Sequence, residues 1–204
     1  EDKMTKPFRP MKATDIIDTE ALKYPLVALT KFDGVYALVR DGKLLGRSLK
    51  PFKNEYITNL LSTPELEGVV GELCYGENLA AEDLCRTTTS KVNTIKGEWE
   101  YTYVLFDYIT EETKELGYAA RLGLLMNLFD KHLKDKFNVI VANYKIVNSG
   151  IELEDYYNEC LDKGFEGVVA RSPQGLWKNG RSTLREQGFL RMKPQSDKEA
   201  VIID

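Results

Sequence analysis

A lysine followed by a tight-turn pair, Lys31-Phe32-Asp33-Gly34, is the first group in this sequence that could do chemistry. A lysine that ends a strand and is held by an Asp-Gly turn would direct its amine rigidly across a pocket. Such an amine is a nucleophile only after losing its proton, which requires neighbouring cations or a dry pocket. Taken alone, the motif favours the simpler interpretation, a surface hairpin lysine beside a turn.

Two glutamates lie in apolar surroundings flanked by glycine: Glu72 in GVVGELCYG and Glu166 in GFEGVVARS. A buried carboxylate is costly unless it is paired, hydrogen-bonded or bound to a metal ion. One such glutamate would ordinarily be a salt-bridge partner. Two of them, together with a lysine at a similar strand–turn junction, predict a shared pocket for a hard cation and an oxygen-rich substrate.

The segment from residue 178 to residue 193 is basic, although the whole chain is acidic. Strand alternation over residues 189–193 would place Arg191 and Lys193 on one face, where they could donate charge-assisted hydrogen bonds to phosphates. A solvated basic edge strand is an equal alternative. The segment contains one acid, Glu186, and five bases: Lys178, Arg181, Arg185, Arg191 and Lys193.

The composition excludes several classes of protein. The 204 residues carry a formal net charge of −4, with 43% hydrophobic and 29% charged residues, which is typical of a globular domain and not of a disordered chain. No apolar run reaches the roughly 18 residues of a membrane helix, and the charged start has no signal-peptide core. Three widely spaced cysteines fit a reducing compartment. We therefore expect a cytoplasmic domain without a membrane partner.

The sequence also lacks several common catalytic and phosphate-binding motifs. It contains one histidine, His132, which excludes histidine-rich metal sites and disfavours a Ser-His-Asp triad. Neither a Walker-type loop nor G-x-G-x-x-G is present, so a nucleotide would have to be bound by lysines, arginines and carboxylates on strands. His132 and Arg121 both fall in a predicted helix, where each by itself is typical of a surface residue.

Apolar periodicity and turn signals predict an α+β domain built around antiparallel sheets. The predicted strands are residues 26–31, 35–40, 43–47, 69–75, 101–109, 139–147, 168–171 and 189–193. The predicted helices are residues 118–136 and 151–163. Asp33-Gly34 and Asp41-Gly42 are tight-turn pairs between the first three strands. No linker divides the chain, and its apolar end, VIID, leads us to expect that a further segment follows.

Taken together and in this order, these pieces resemble the covalent nucleotidyltransferases, which comprise ATP-dependent DNA ligases, RNA ligases and mRNA capping enzymes. The resemblance spans residues 24 to 194. It rests on Lys31-Phe32-Asp33-Gly34, Arg47-Ser48, Gly71-Glu72-Leu73, Leu105-Phe106-Asp107-Tyr108, Arg121, the segment from Glu166 to Arg171, and residues 190–193. Residues 46–51 with Asn54, 178–183 and 191–194 are most similar to short bacteriophage-type DNA ligases.

The resemblance implies an ATP-dependent DNA ligase that uses ATP and Mg²⁺ and acts on nicked duplex DNA as a monomer. Lys31 would form a covalent lysine–AMP intermediate, AMP would pass to the 5′-phosphate of a nick, and the 3′-hydroxyl would seal the strand. The implied fold is a nucleotidyltransferase (ATP-grasp-like) domain over residues 1–204, with the following OB-fold domain of relatives missing. Because 30 residues precede Lys31, we expect no extra domain of the NAD-dependent kind.

The resemblance also assigns roles to individual residues. The implied catalytic residues are Lys31, Asp33, Arg171, Arg191 and Lys193. The implied nucleotide-binding residues are Thr30, Lys31, Arg47, Glu72, Phe106, Glu166, Arg171, Arg191 and Lys193, with Phe106 covering the adenine. The implied metal ligands are Glu72 and Glu166. The implied nucleic-acid contacts are Arg47, Lys50, Lys178, Arg181 and Arg185.

The sequence departs from the family pattern at three positions. Tyr36 stands where many ligases have arginine, Arg191 replaces a lysine, and Leu29 replaces an acid near the adenine amino group. Arginine keeps the charge but is a planar fork, so the contacts of residue 191 would change. The alternatives are an RNA ligase, a capping-type guanylyltransferase that would prefer GTP, or a catalytically idle scaffold that binds nucleic acid.

Overall fold

The computed structural model describes residues 6–195, which form two five-stranded sheets with helices packed against them. The strands are β1 (Met11–Lys12), β2 (Thr14–Asp15), β3 (Leu26–Lys31), β4 (Val35–Arg40), β5 (Lys43–Gly46), β6 (Val69–Tyr75), β7 (Tyr101–Tyr108), β8 (Val139–Val141), β9 (Tyr144–Val147), β10 (Gly167–Arg171), β11 (Gly180–Arg181) and β12 (Leu190–Met192). The helices are α1 (Glu55–Leu61), α2 (Leu84–Asn93), α3 (Tyr118–Leu128) and α4 (Gly150–Asp162). The predicted α+β class is confirmed.

The first sheet has the order β2-β12-β10-β3-β9, with antiparallel pairing except between β2 and β12. Its register sets the positions of the chemically interesting residues. Gly167 lies opposite Lys31, so Glu166 arrives beside the lysine. Leu29, Val169 and Arg191 lie side by side on three neighbouring strands and therefore share one face.

The second sheet has the order β5-β4-β6-β7-β8, and only β7 and β8 are parallel. The predicted turn at Asp41-Gly42 closes the hairpin between β4 and β5, and both residues have positive φ angles, 53° and 70°. Tyr36 on β4 lies opposite Glu72 on β6. The chain crosses from the first sheet to the second at residues 32–34, so Lys31 ends at the junction between them.

Two glycines, Gly34 and Gly167, each follow an acidic residue and lie very close to the backbone of a neighbouring strand. A Cβ atom on Gly34 would lie 2.2 Å from the carbonyl oxygen of Leu73, and one on Gly167 would lie 2.1 Å from that of Met192. Neither position can hold a side chain without moving a neighbouring strand. The Asp-Gly and Glu-Gly pairs of the sequence therefore mark points where the chain passes tightly against β6 and the end of β12.

The two longer helices each pack one apolar face on a sheet. In α3, Tyr118, Arg121, Leu122 and Leu125 are buried, which is the spacing of one helical face, and the helix contacts β7. It continues into a π-helical turn, Phe129–Leu133. The helix predicted over residues 118–136 therefore begins at the right residue, but its regular α-helical part ends at Leu128. The amide of Glu152 donates to the Ser149 hydroxyl and so caps the start of α4, which packs on the first sheet.

Several predicted features differ from the structure. The run 139–147 is not one strand, because β8 joins the second sheet and β9 joins the first. Asp33-Gly34 does not close a hairpin, because β3 and β4 belong to different sheets. The short helices α1 and α2 were not predicted. Within residues 6–195 no helix is long and apolar enough to span a membrane. The terminal VIID run lies outside the described residues.

Candidate active site

The Lys31 amine forms an ion pair with Glu166, with Nζ 2.5 Å from Oε2. Both side chains are about a quarter exposed, 23% for the lysine and 25% for the glutamate, so the pair is sheltered yet reachable. The pair results from the register of β3 and β10, which sets Gly167 opposite Lys31. The lysine and one of the two glutamates predicted to share a pocket therefore do meet.

A cavity of about 340 Å³ opens beside Lys31 between the two sheets. This volume falls within the range of small-molecule sites in proteins. Its walls are partly apolar and partly charged, which suits a ligand with an apolar and an anionic part. It is lined by Lys12, Ala13, Leu29, Thr30, Lys31, Phe32, Tyr36, Arg47, Glu72, Phe106, Val169, Arg181, Phe189 and Arg191.

The carboxylates of the site carry perturbed proton affinities. Burial raises the pKa of Glu72 from 4.5 to about 7; Lys31 and Arg47 partly counteract this, whereas Glu166 and Asp33 add to it. Burial also raises the pKa of Asp33, and the charge of Glu166 reinforces the effect. Like charges that raise one another's pKa must lie close together. Asp33, Glu72 and Glu166 therefore form one electrostatic cluster around Lys31.

The cationic side of the cavity is formed by four residues from separate parts of the chain: Lys12, Arg47, Arg181 and Arg191. Strands β1 and β11 pair in parallel and set Lys12 beside Arg181, whose Nη1 donates to the carbonyl oxygen of Ala13 at 2.6 Å. Arg191 forms an ion pair with Asp15, with 2.5 Å between Nε and Oδ1. These cations line the cavity together with Glu72, and Arg47 is close enough for its charge to act on the pKa of Glu72.

Aromatic rings form a continuous wall of the cavity. The ring centroids of Tyr36 and Phe106 lie 6.4 Å apart, and those of Phe106 and Phe189 lie 6.3 Å apart with 28° between the ring planes. The guanidinium of Arg47 covers the Tyr36 ring at 4.3 Å, and that of Arg171 covers the Phe189 ring at 4.6 Å. A flat heteroaromatic ring could stack on this wall.

A buried network of one carboxylate and two arginines lies behind this wall. Asp107, Arg121 and Arg171 are all fully buried, at 0%, 0% and 1% exposure. Arg121 makes a bidentate contact to Asp107, with 2.9 and 3.2 Å, and Arg171 Nη1 lies 2.9 Å from Asp107 Oδ2. Burial works against the Asp107 charge, but the two arginines more than offset it, and the pKa of Asp107 is lowered.

This network corrects two interpretations of the sequence. Arg121 is not a surface cation. Arg171, for which the resemblance implied phosphate contact, does not line the cavity: it lies two residues beyond Val169 on the same face of β10, where Phe189 and Tyr118 cover it. Its guanidinium is engaged with Asp107, which it shares with Arg121. Arg171 therefore supports the aromatic wall from behind.

The structure brings most of the remaining implied site residues together. Thr30, Lys31, Arg47, Glu72, Phe106, Arg181 and Arg191 line the cavity, and Glu166 reaches it through Lys31. Lys193 lies close enough for its charge to lower the pKa of Asp33. Three implied nucleic-acid contacts do not line the cavity, namely Lys50, Lys178 and Arg185, and Lys178 forms an ion pair with Glu186.

Sequence reasoning missed several residues of this cavity. Lys12, which lines the cavity, and Asp15, which pairs with the lining residue Arg191, lie on two-residue strands that no periodicity could reveal. Only strand pairing brings them to the site. Val169 and Phe189 lie in predicted strands, two residues before Arg171 and Arg191. Strand alternation therefore could have placed each of them on the same sheet face as the arginine that follows it. The described residues contain no group of three His, Cys, Asp or Glu side chains placed to hold a metal ion by themselves.

The chain matches a known protein family and is similar to solved structures. Residues 10–193 match a protein family described as the ATP dependent DNA ligase domain. Among solved structures, the chain is similar to Chlorella virus DNA ligase-adenylate, with 30% identity over 91% of this chain and 68% of that chain and a TM-score of 0.79.

Two further solved structures are similar in fold. The ATP-dependent DNA ligase from bacteriophage T7 in complex with ATP shows 18% identity over 92% of this chain and 69% of that one, with a TM-score of 0.67. A Lig E DNA ligase shows 19% identity over 94% and 70%, with a TM-score of 0.68. Comparison with curated protein sequences found no match.

Proposed function

Because the chain belongs to the family of the ATP-dependent DNA ligase domain, we propose that it transfers AMP from ATP, through Lys31, to a 5′-phosphate at a DNA nick. The observation that carries the proposal is the position of Lys31. Its amine ends a strand at the opening of a nucleotide-sized cavity and touches Glu166. A surface hairpin lysine would have neither the cavity nor the paired carboxylate.

The first step forms a phosphoramidate. The Lys31 amine, once deprotonated, attacks the α-phosphorus of ATP; the bond to the bridging oxygen breaks, and pyrophosphate leaves with that electron pair. The amine proton passes to water. AMP then moves from Lys31 to the 5′-phosphate of the nick, and the 3′-hydroxyl displaces it to form the phosphodiester bond.

The walls of the cavity suit the parts of AMP. Leu29, Val169, Phe106 and Phe189 provide apolar and aromatic surfaces for the base. Glu72 faces the same space and is the acceptor available for ribose hydroxyls. Arginine guanidinium groups suit phosphate oxygens because their planar donors can bind two oxygens at once. Arg47, Arg181 and Arg191 supply such donors on the cationic side.

The residues present also fit a magnesium ion that is held jointly with ATP. Mg²⁺ usually takes one or two carboxylates together with substrate phosphates and water. Glu72 and Glu166 supply two carboxylates in one electrostatic cluster, and the described residues lack a third ligand that would make a site without substrate. When bound, the ion would offset charge on the α-phosphate. The ion pair with Lys31 is the contact that Glu166 would exchange for the metal.

The DNA-binding part of the proposal rests on cations around the cavity. Arg47 and Arg181 line it and are exposed, and Lys12 adds a third cation that the sequence did not indicate. Lys50 and Arg185 are exposed outside it. The 5′-phosphate of a nick must come within bonding distance of the Lys31-linked AMP, so we assign it to this cationic side.

Labelling with nucleotide tests the proposal. Wild-type protein and the Lys31→Ala variant are incubated with Mg²⁺ and with ATP, GTP or NAD carrying label on the AMP or GMP phosphate. The proposal expects stable labelling of the wild type by ATP alone and none in the variant. Better labelling by GTP would favour a capping-type enzyme. Absence of labelling with every nucleotide, alongside intact binding of nicked DNA, would favour an idle scaffold.

A further inference from the structure

Tyr36 is a buried tyrosine that lines the cavity through a side chain whose hydroxyl has no hydrogen-bond partner in the described part of the chain. It is 6% exposed, lies on β4 opposite Glu72, and forms part of the cavity wall. Its hydroxyl oxygen is buried and has no hydrogen-bond partner among the described residues. Burial raises the pKa of this phenol, so it stays neutral at any physiological pH. An unpartnered buried hydroxyl destabilises the fold, so the reason for tyrosine here must lie elsewhere.

The guanidinium of Arg47 lies over the ring of Tyr36. The guanidinium carbon of Arg47 lies 4.3 Å from the ring centroid, which is a cation–π contact. No ion pair among residues 6–195 involves Arg47. Without this contact, the exposed arginine would sample many rotamers, and ordering it for a ligand would cost conformational entropy.

A second arginine of the cavity, Arg191, shows why a neutral ring suits position 36. Arg191 is held by a carboxylate, Asp15, which neutralises part of its charge. The ring holds Arg47 without neutralising it, so the full positive charge stays available to an anion. Both the Tyr36 ring and Arg47 line the same cavity as Lys31.

We propose that Tyr36 is a positioning residue, which holds Arg47 ready for a phosphate group through its ring alone. The inference rests on the proposed function for the identity of the ligand. The phosphate could come from ATP or from the 5′ end of a nick, and the planar guanidinium donors of Arg47 would bind either one. The hydroxyl has no part in this role.

Three variants separate the ring from the hydroxyl and from general packing. Tyr36→Phe keeps the ring, and Tyr36→Leu removes it. Leu38→Ala changes a buried residue of the same strand and hydrophobic cluster that does not line the cavity, and serves as the packing control. Each is made with Arg47 intact and with Arg47→Ala. Binding is measured by fluorescence anisotropy with nicked duplexes carrying or lacking the 5′-phosphate, and by titration with ATP.

The proposal expects a defined pattern. Tyr36→Phe binds like the wild type and is at least as stable to heat, because it loses only an unpartnered hydroxyl. Tyr36→Leu weakens binding of the phosphate-bearing ligand about 3- to 10-fold, the size of a cation–π contact at a partly exposed site. In the Arg47→Ala background this further loss disappears. Leu38→Ala lowers stability and leaves binding unchanged.

The two sources of phosphate give different results. If the nick supplies it, the loss in Tyr36→Leu appears only with the 5′-phosphorylated duplex, and Arg47→Ala lowers the magnitude of the slope of log affinity against log salt by about one. If ATP supplies it, the loss appears in the ATP titration. Equal losses in Tyr36→Phe and Tyr36→Leu, or the same loss with and without Arg47, would overturn the proposal. Because binding is read out separately from labelling, failure of labelling would refute the ligase assignment and leave this test intact.

Discussion

Glu72 makes the candidate site costly to fold at neutral pH, and Glu72→Gln should reveal that cost. Burial raises the pKa of Glu72 from 4.5 to about 7, so the folded protein holds this proton more tightly than the unfolded chain does. For an acid with a raised pKa, stability falls as the pH rises from the unfolded value to the folded one. The window here therefore runs from about pH 4.5 to about pH 7.

The pKa difference sets the magnitude. Each pH unit between the two pKa values corresponds to about 1.4 kcal/mol, so the full window gives about 3 kcal/mol. Because the Glu72 side chain is only partly buried, solvent screening makes this an upper limit. Glutamine keeps the shape and has no charge to desolvate. Glu72→Gln should therefore match the wild type in stability near pH 4.5 and exceed it by up to about 3 kcal/mol above pH 7.

Urea unfolding at several pH values between 4.5 and 8, in buffer without divalent ions, measures this difference through tryptophan fluorescence. Glu77→Gln, an exposed position just beyond the same strand, is the matched control and should follow the wild type throughout. The more stable Glu72→Gln variant should nevertheless be labelled poorly by ATP. A stability difference that does not change with pH, or a variant less stable than wild type at pH 8, would refute the reasoning.

Two further predictions concern the ion pairs around the cavity. Arg171→Met removes a buried guanidinium that contacts Asp107 and donates to the carbonyl oxygen of Gly188, and it leaves both acceptors short of a partner in the interior. It should lower the free energy of unfolding by about 3 kcal/mol, whereas the exposed Arg181→Met should change it by less than about 0.5 kcal/mol. Equal effects in a denaturation experiment would contradict the buried network. Asp15→Asn removes the carboxylate that holds Arg191 and, being exposed, should change stability by less than about 1 kcal/mol. It should slow labelling by ATP several-fold at low salt, and an unchanged rate would show that Asp15 does not position Arg191.

The sequence was most informative where one strand or one turn determines a position. The segment of Lys31 and the segments of Glu72 and Glu166 each carry an apolar strand pattern beside a glycine, and those strands form in the structure. Their meeting in one site was inferred from the family resemblance and from the cost of burying carboxylates. The turn at Asp41-Gly42 was predictable because few residue pairs tolerate two positive φ angles in succession.

The sequence was least informative where partners lie far apart along the chain. One buried network consists of Asp107, Arg121 and Arg171. In the sequence, each of them alone is typical of a residue at a strand end or on a helix surface. Alternation could not show that the run 139–147 changes sheets, because only residues 142–143 separate β8 from β9 and they contain no Gly or Pro turn signal. The helix α2 has the sequence LCRTTTSKVN, whose three threonines have weak helix propensity, so tertiary packing decides its structure.

Mapping the adenylyl group tests the central claim most directly. Wild-type protein is incubated with ATP and Mg²⁺, digested, and its peptides are analysed by mass spectrometry. Lys31→Arg and, as the matched control, the exposed Lys43→Arg are treated in the same way. We expect one adenylyl group on the peptide that contains Lys31, its absence in Lys31→Arg, and its retention in Lys43→Arg. An adduct on any other residue, or one that persists in Lys31→Arg, would contradict Lys31 as the nucleophile.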